Sequence, residues 1–109
     1  MSIPRLTVPL VLETAEKQPD GMGGFRMSWR DLGILHARLK SGSARLRGGE
    51  AGAQSEIDWQ ITLRAFPKGD PRRPLVGQRL RMGQRIFRIE GVAEADASGR
   101  HLTVFAQEG

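Results

Sequence analysis

Arginine supplies the clearest chemistry in this chain. Between Asp70 and Glu90 lie Arg72, Arg73, Arg79, Arg81, Arg85 and Arg88, with no acid among them. A guanidinium is a planar fork of donors that grips carboxylate or phosphate bidentately. Such a run points to an acidic protein partner or a DNA backbone, against the blander alternative of a solvated face. Arg79 and Arg81 alternate with Leu80 and Met82, which predicts a cationic stripe along one strand face. A second basic pair, Arg45 and Arg47, leads into Gly48 and Gly49 in a stretch poor in apolar residues. The net charge of +5 permits contact with a polyanion without requiring it.

Candidates for catalysis are few. His36 and His101 fall on the expected polar faces of separate strands, with no ligand cluster in sequence beside them. No Gly-x-Ser-x-Gly or phosphate-loop pattern occurs, and Gly21-x-Gly23-Gly24 precedes a strand rather than a helix, so it is no dinucleotide fingerprint. The absence of cysteine excludes disulfides and thiolate metal sites. The sequence therefore predicts no active site, no metal and no cofactor. A barrel that binds single-stranded nucleic acid would interleave aromatics with its basic face. Here Phe25, Trp29, Trp59 and Phe87 read as inward-facing, and tyrosine is absent.

The elements that position these residues read as strands. Asp20-Gly21-Met22-Gly23-Gly24 is the strongest turn signal, because glycine reaches positive φ without a Cβ clash. It predicts a hairpin with a loop over 17–24, a first strand over 8–14 and a second over 24–30. Phe25, Met27 and Trp29 alternate and are expected to face the core. Asp31-Leu32-Gly33 marks a break before a third strand over 34–40, with Leu35, Ala37 and Leu39 on one face and His36, Arg38 and Lys40 on the other. Residues 41–55 hold four glycines and one large aliphatic, Leu46, which predicts a long mobile loop. Ile57, Trp59, Ile61, Leu63 and Ala65 then alternate strictly with polar residues, a strand with one wet face and a buried Trp59. A connection over 66–77 leads to strands over 78–82, 85–92 and 101–107, the last burying Leu102, Val104 and Ala106.

With 109 residues, 39% hydrophobic and 27% charged, the chain is expected to form a single domain over 1–109. No apolar run is long enough to span a bilayer, and residues 1–5 carry no signal-peptide pattern. The predicted fold class is all-β: a small β-barrel or sandwich of six to seven antiparallel strands with one long glycine-rich loop. A barrel is favoured because closure removes edges that this chain has few means to protect. No apolar stripe is expected to be left over once the strand faces are filled, which predicts a monomer in isolation.

The order of features resembles the head–tail joining proteins of long-tailed phages, the stopper or adaptor-like connectors. It is most similar to the versions carried by gene transfer agents. The shared series runs through Leu10-Val11-Leu12-Glu13, Asp20-Gly21-x-Gly23-Gly24-Phe25 and Trp29. It continues through Leu32-Gly33-x-Leu35-x-Ala37, Ile61-Thr62-Leu63-Arg64 and Gly77-Gln78-Arg79-Leu80-Arg81. It closes with Gly83-x-Arg85-Ile86-Phe87-x-Ile89, Asp96 to Leu102, and Phe105-Ala106-x-Glu108. His36-Ala37 stands where the family often has Trp-Ala.

The resemblance implies a structural protein without catalytic residues, made in the bacterial cytoplasm and built into a virion or particle. It implies a ring of copies between the portal–adaptor complex and the tail-terminator protein, with a loop that helps to retain packaged double-stranded DNA. Segment 41–55 is the candidate loop, with Arg45, Arg47, Gly48 and Gly49 toward DNA. Arg72, Arg73, Arg79, Arg81 and Arg85 are candidates for partner contacts. The alternative from composition alone is a small basic β-barrel that binds nucleic acid.

Overall fold

Strand periodicity carries through into the computed structural model, which describes residues 5–47 and 54–109. The strands are β1 (Val8–Pro19), β2 (Phe25–Arg47), β3 (Gln54–Arg64), β4 (Arg79–Met82), β5 (Arg85–Glu94) and β6 (His101–Glu108). Among the described residues there is no helix. All pairings are antiparallel, in the closed order β1-β2-β3-β6-β5-β4, and β4 returns to β1 over Val11–Glu13. The all-β barrel expected from the alternation is what forms. Closure gives every strand two neighbours, although the two stretches of β2 that pair with β1 and with β3 overlap only at Ala37.

The core is the inward set of every strand. Leu10 and Leu12 of β1, Leu35 and Ala37 of β2, and Ile61 and Leu63 of β3 are buried. Leu80, Phe87, Ile89, Leu102, Val104 and Ala106 complete the cluster from β4, β5 and β6. Trp59 is only half-buried at its margin, set edge-on to Phe87 with ring centroids 5.7 Å apart. Its indole Nε1 donates to Glu108 Oε1 at 3.0 Å, so one edge serves the core and the other a carboxylate.

Three expectations need correction. The break expected at 31–33 is a bulge inside one continuous strand of 23 residues. Leu12 pairs with Gly33 and Glu13 with Asp31, which leaves Leu32 as an extra residue without a partner on β1. The hairpin loop expected over 17–24 is tighter, because pairing continues to Pro19↔Phe25 and Asp20 closes the turn with hydrogen bonds to the amides of Met22 and Gly24. The loop expected over 41–55 is largely strand. Ala44, Arg45, Leu46 and Arg47 pair with Ile57, Glu56, Ser55 and Gln54, and residues 48–53 lie outside the described residues. Few apolar residues were needed there, because the backbone ladder supplies the pairing.

The bulge has a second consequence. One extra residue moves every side chain beyond it to the other face of the sheet. Leu35 and Ala37, after the bulge, point inward and are buried. Phe25, Met27 and Trp29 have the same parity but precede it, and they emerge on the outer face, 68%, 60% and 39% exposed. Their expected inward orientation is thus overturned. Gly33 holds the bulge at φ 144°, a backbone conformation that side chains rarely adopt. An added Cβ there would meet nothing within 4 Å, so the cost of Gly33→Ala is conformational rather than steric. That variant should lose about 1–3 kcal/mol in chemical denaturation. A loss below about 0.5 kcal/mol, ordinary for a neutral surface change, would show that the bulge tolerates a side chain.

Candidate functional site

Strand β2 outruns its neighbours at both ends. Residues Phe25–His36 pair with β1 alone, and beyond Ala37 the strand pairs with β3 alone. Two hairpins therefore leave the barrel from opposite ends of one strand: a β1–β2 arm that turns at 20–24, and a β2–β3 arm that carries Arg45 and Arg47 in its first strand. The molecule measures 55 × 34 × 23 Å.

The predicted arginine stripe exists, but its charges are largely answered from within the chain. Glu13 lies beneath Arg79 and Arg81, 5% exposed. Arg79 Nε donates to Glu13 Oε1 at 2.7 Å and Arg81 Nε to Oε2 at 3.2 Å. Arg81 also stands 3.8 Å from Asp31, and the Arg79 guanidinium lies 4.0 Å over the Trp29 ring. Burial pushes the Glu13 carboxyl up, yet hydrogen bonding with Arg79, Asp31 and Arg81 outweighs it and holds the group below its ordinary value.

The other arginines follow suit. Arg85 pairs with Glu108 at 2.6 Å and covers the Trp59 and Phe87 rings. Those hydrogen bonds lower the Glu108 carboxyl. Arg88 reaches Glu56 at 3.1 Å. Arg72 forks onto Asp70, whose carboxyl falls to about 2 through the side-chain and backbone hydrogen bonds from Arg72. Arg73 donates to the Phe66 carbonyl at 2.9 Å. Arg79, Arg81, Arg85 and Arg88 thus act first as ties between strands, whereas Arg72 and Arg73 are bound within the connection that follows β3.

Other cations carry no such tie. Arg38, Lys40 and Arg64 are exposed on the outer face of β2 and β3, where Arg38 lies opposite Thr62, Lys40 opposite Gln60 and Arg64 opposite His101. None is in an ion pair among the described residues. The alternation His36-Arg38-Lys40 was visible in sequence; the neutral neighbours across the ladder were not. Of the DNA-loop candidates, Arg45 and Arg47 sit in β2, and Gly48 and Gly49 lie outside the described residues. His36 is exposed and opposite Pro9, whereas His101 is opposite Arg64, so the two do not pair with each other. Among the described residues no group of His, Cys, Asp or Glu could hold a metal ion.

The surface missed by sequence reasoning is apolar. Phe25, Met27 and Trp29, with Met22 at the turn, make an exposed row on the outer face of the β1–β2 arm. The opposite face of the same arm is polar, with Arg30 paired to Glu16 at 2.5 Å. The premise that no apolar stripe is left over, on which a monomer was expected, does not hold. A contiguous exposed apolar row of this kind is often functional.

Comparison with known proteins agrees with an assembly role. A family model described as phage head completion protein matches residues 1–109. A chain from a solved structure of the virion of a native gene transfer agent particle is similar at 44% identity, over 98% of each chain, with a TM-score of 0.86. Comparison with the curated proteins finds no match.

Proposed function

This chain belongs to the phage head completion protein family, and from that premise we propose that it is a non-catalytic stopper or adaptor of a tailed phage or gene transfer agent particle. It is a structural head-completion protein. In our reading, copies form a ring between the portal–adaptor complex and the tail terminator, and the ring helps to retain packaged double-stranded DNA. The observation that carries this reading is the layout of β2. One strand runs through the barrel and projects as a hairpin at each end, which equips a subunit to touch components on two sides.

The β2–β3 arm is the channel-facing element in this reading. It carries Arg45 and Arg47 away from the barrel, and Arg38 and Lys40 line its base on the same strand; Gly48 and Gly49 come next in the sequence. Cations here would lie along the DNA backbone without reading sequence.

Replacing residues 46–55 by a tight two-residue turn, together with Arg45→Ala, tests the reading while Glu56 keeps its tie to Arg88 and Ile57 its place opposite Glu108. The barrel should stay folded, because loop length enters stability weakly and core positions begin at Ile61 on β3. Particles built with the shortened chain should lose packaged DNA or fail to join tails. Fully transducing or infectious particles would overturn the DNA-retention role. A free nucleic-acid-binding barrel would instead show salt-dependent affinity of the isolated chain for short oligonucleotides.

A further inference from the structure

The exposed row Phe25, Met27 and Trp29 has a complementary surface on the same chain, across the barrel. In the closed strand order, β6 stands opposite β1. On its outer side is a groove of about 360 Å³ lined by Gly42, Ser43, Gln60, Glu90 and Phe105, among others. Two bulges shape it. Pairing in β2 shifts between Ser41 and Ala44, and pairing in β5 shifts between Ile89 and Gly91, which leaves Glu90 as an extra, exposed residue. Phe105 lies over Gly91, where an added Cβ would stand 3.7 Å from the ring, and is still 43% exposed.

The exposed charges at the two surfaces are opposite in sign. Lys17 lies directly across from Met27 on the apolar face of the arm and is exposed. Glu90 is exposed at the rim of the groove. Neither has an ion-pair partner among the described residues. The arm thus offers an apolar row flanked by a lysine, and the groove offers an aromatic ring and an exposed carboxylate.

We propose that the β1–β2 arm of one copy docks in the groove over β3 and β6 of the next, Phe25 and Met27 against Phe105 and Lys17 beside Glu90. Donor and acceptor are different surfaces on opposite sides of the barrel. The contact is therefore heterologous, the kind that builds a ring when its rotation closes. This deepens the ring reading and rests on it. At roughly 200 Å² for a large side chain, the exposures of Phe25, Met27 and Trp29 leave on the order of 300 Å² of apolar surface. That is well below the roughly 800 Å² per partner of a standard stable interface. The contact is accordingly weak between free chains and is held by the neighbours in an assembled particle.

The cysteine-free chain makes a direct test available. Met27→Cys and Phe105→Cys are placed singly and together, and purified particles are treated with a short bismaleimide. The double variant should give a ladder of covalent multimers. Each single variant alone should give none, and particles assembled from a mixture of the two should give dimers. Adding Lys17→Glu to the double variant should reduce the ladder, and Glu90→Lys in the same chain should restore it.

Dimers from Met27→Cys alone would mean that arms pack against each other, which overturns the proposal. Cross-linking of Met27→Cys to Leu75→Cys, at an exposed apolar residue of the 66–77 connection far in sequence from the groove, would overturn it too. So would particles that hold several copies and join tails but give no ladder; that outcome leaves the ring reading standing. Particles that lack the chain yet still join tails would overturn the ring reading itself. All variants lie on exposed positions, and an unchanged melting temperature confirms that the barrel is intact.

Discussion

Truncating Phe87→Ala should destabilise the barrel by about 3–5 kcal/mol, the range for losing a buried aromatic. Phe87 is fully buried, lies opposite Leu80 in the β4–β5 ladder and meets Trp59 edge-on. Its removal opens a cavity that flanking strands cannot close, because each is pinned by ladders on both sides. It also strips the Arg85 guanidinium of a ring 5.1 Å away. A domain of this size shifts its Tm by roughly 4–8 °C for each kcal/mol, so thermal melts resolve the effect easily. Trp59→Ala should cost less, because Trp59 is half-buried at the margin of the core rather than within it. If Trp59→Ala proves the more damaging of the two, the centre of the core is misplaced.

Removing Glu13 should have the next largest effect. Glu13→Ala leaves Arg79 and Arg81 facing each other on β4 without their shared carboxylate. Breaking a fully buried pair costs about 3–5 kcal/mol. Here both guanidinium groups keep some access to water, at 23% and 33% exposure, so about 2–3 kcal/mol is expected. Removing all three charges together, as Glu13→Leu with Arg79→Leu and Arg81→Met, should recover part of that loss, since no unpaired charge then remains.

Acid provides an independent check on Glu13. Its carboxyl is lowered on folding, so its stabilising contribution is complete above the ordinary value of 4.5 and disappears as pH falls through the folded value. The urea midpoint should therefore drop on acidification below about pH 4.5, and Glu13→Gln should make that drop shallower. Glu108, lowered by Arg85, shifts in the same direction and accounts for part of what remains. A Glu13→Gln variant with the same acid slope as the parent chain would show that the buried carboxylate does not act as the hub of this face.

Much of the fold was legible because strand alternation is a local property. The inward residues Ile61, Leu63, Leu102, Val104 and Ala106 could each be assigned from their own neighbours in sequence, and all are buried. So could the turn at 20–24 and the membership of the chain among head-joining proteins, which rests on an ordered series of short motifs. Residues 41–47 and 54–55 were misread as loop because their composition is that of a loop. A projecting hairpin needs no buried face, only a partner strand, and Gln54–Ile57 is that partner.

The site belongs to the tertiary structure for two physical reasons. Bulges are counted across a ladder, so the extra residue Leu32 is invisible until Leu12 is seen to pair with Gly33 and Glu13 with Asp31. That single residue moves Phe25, Met27 and Trp29 from the core face to the outer face. Charge is likewise balanced through space. The run from Arg72 to Arg88 holds no acid in sequence, yet Glu13 and Glu108 reach Arg79, Arg81 and Arg85 from β1 and β6. The sequence alone determined which residues alternate and which bear charge. Only closure of the barrel decided which of them were left for a partner, because pairing between distant strands consumed some arginines and a bulge turned three apolar side chains outward.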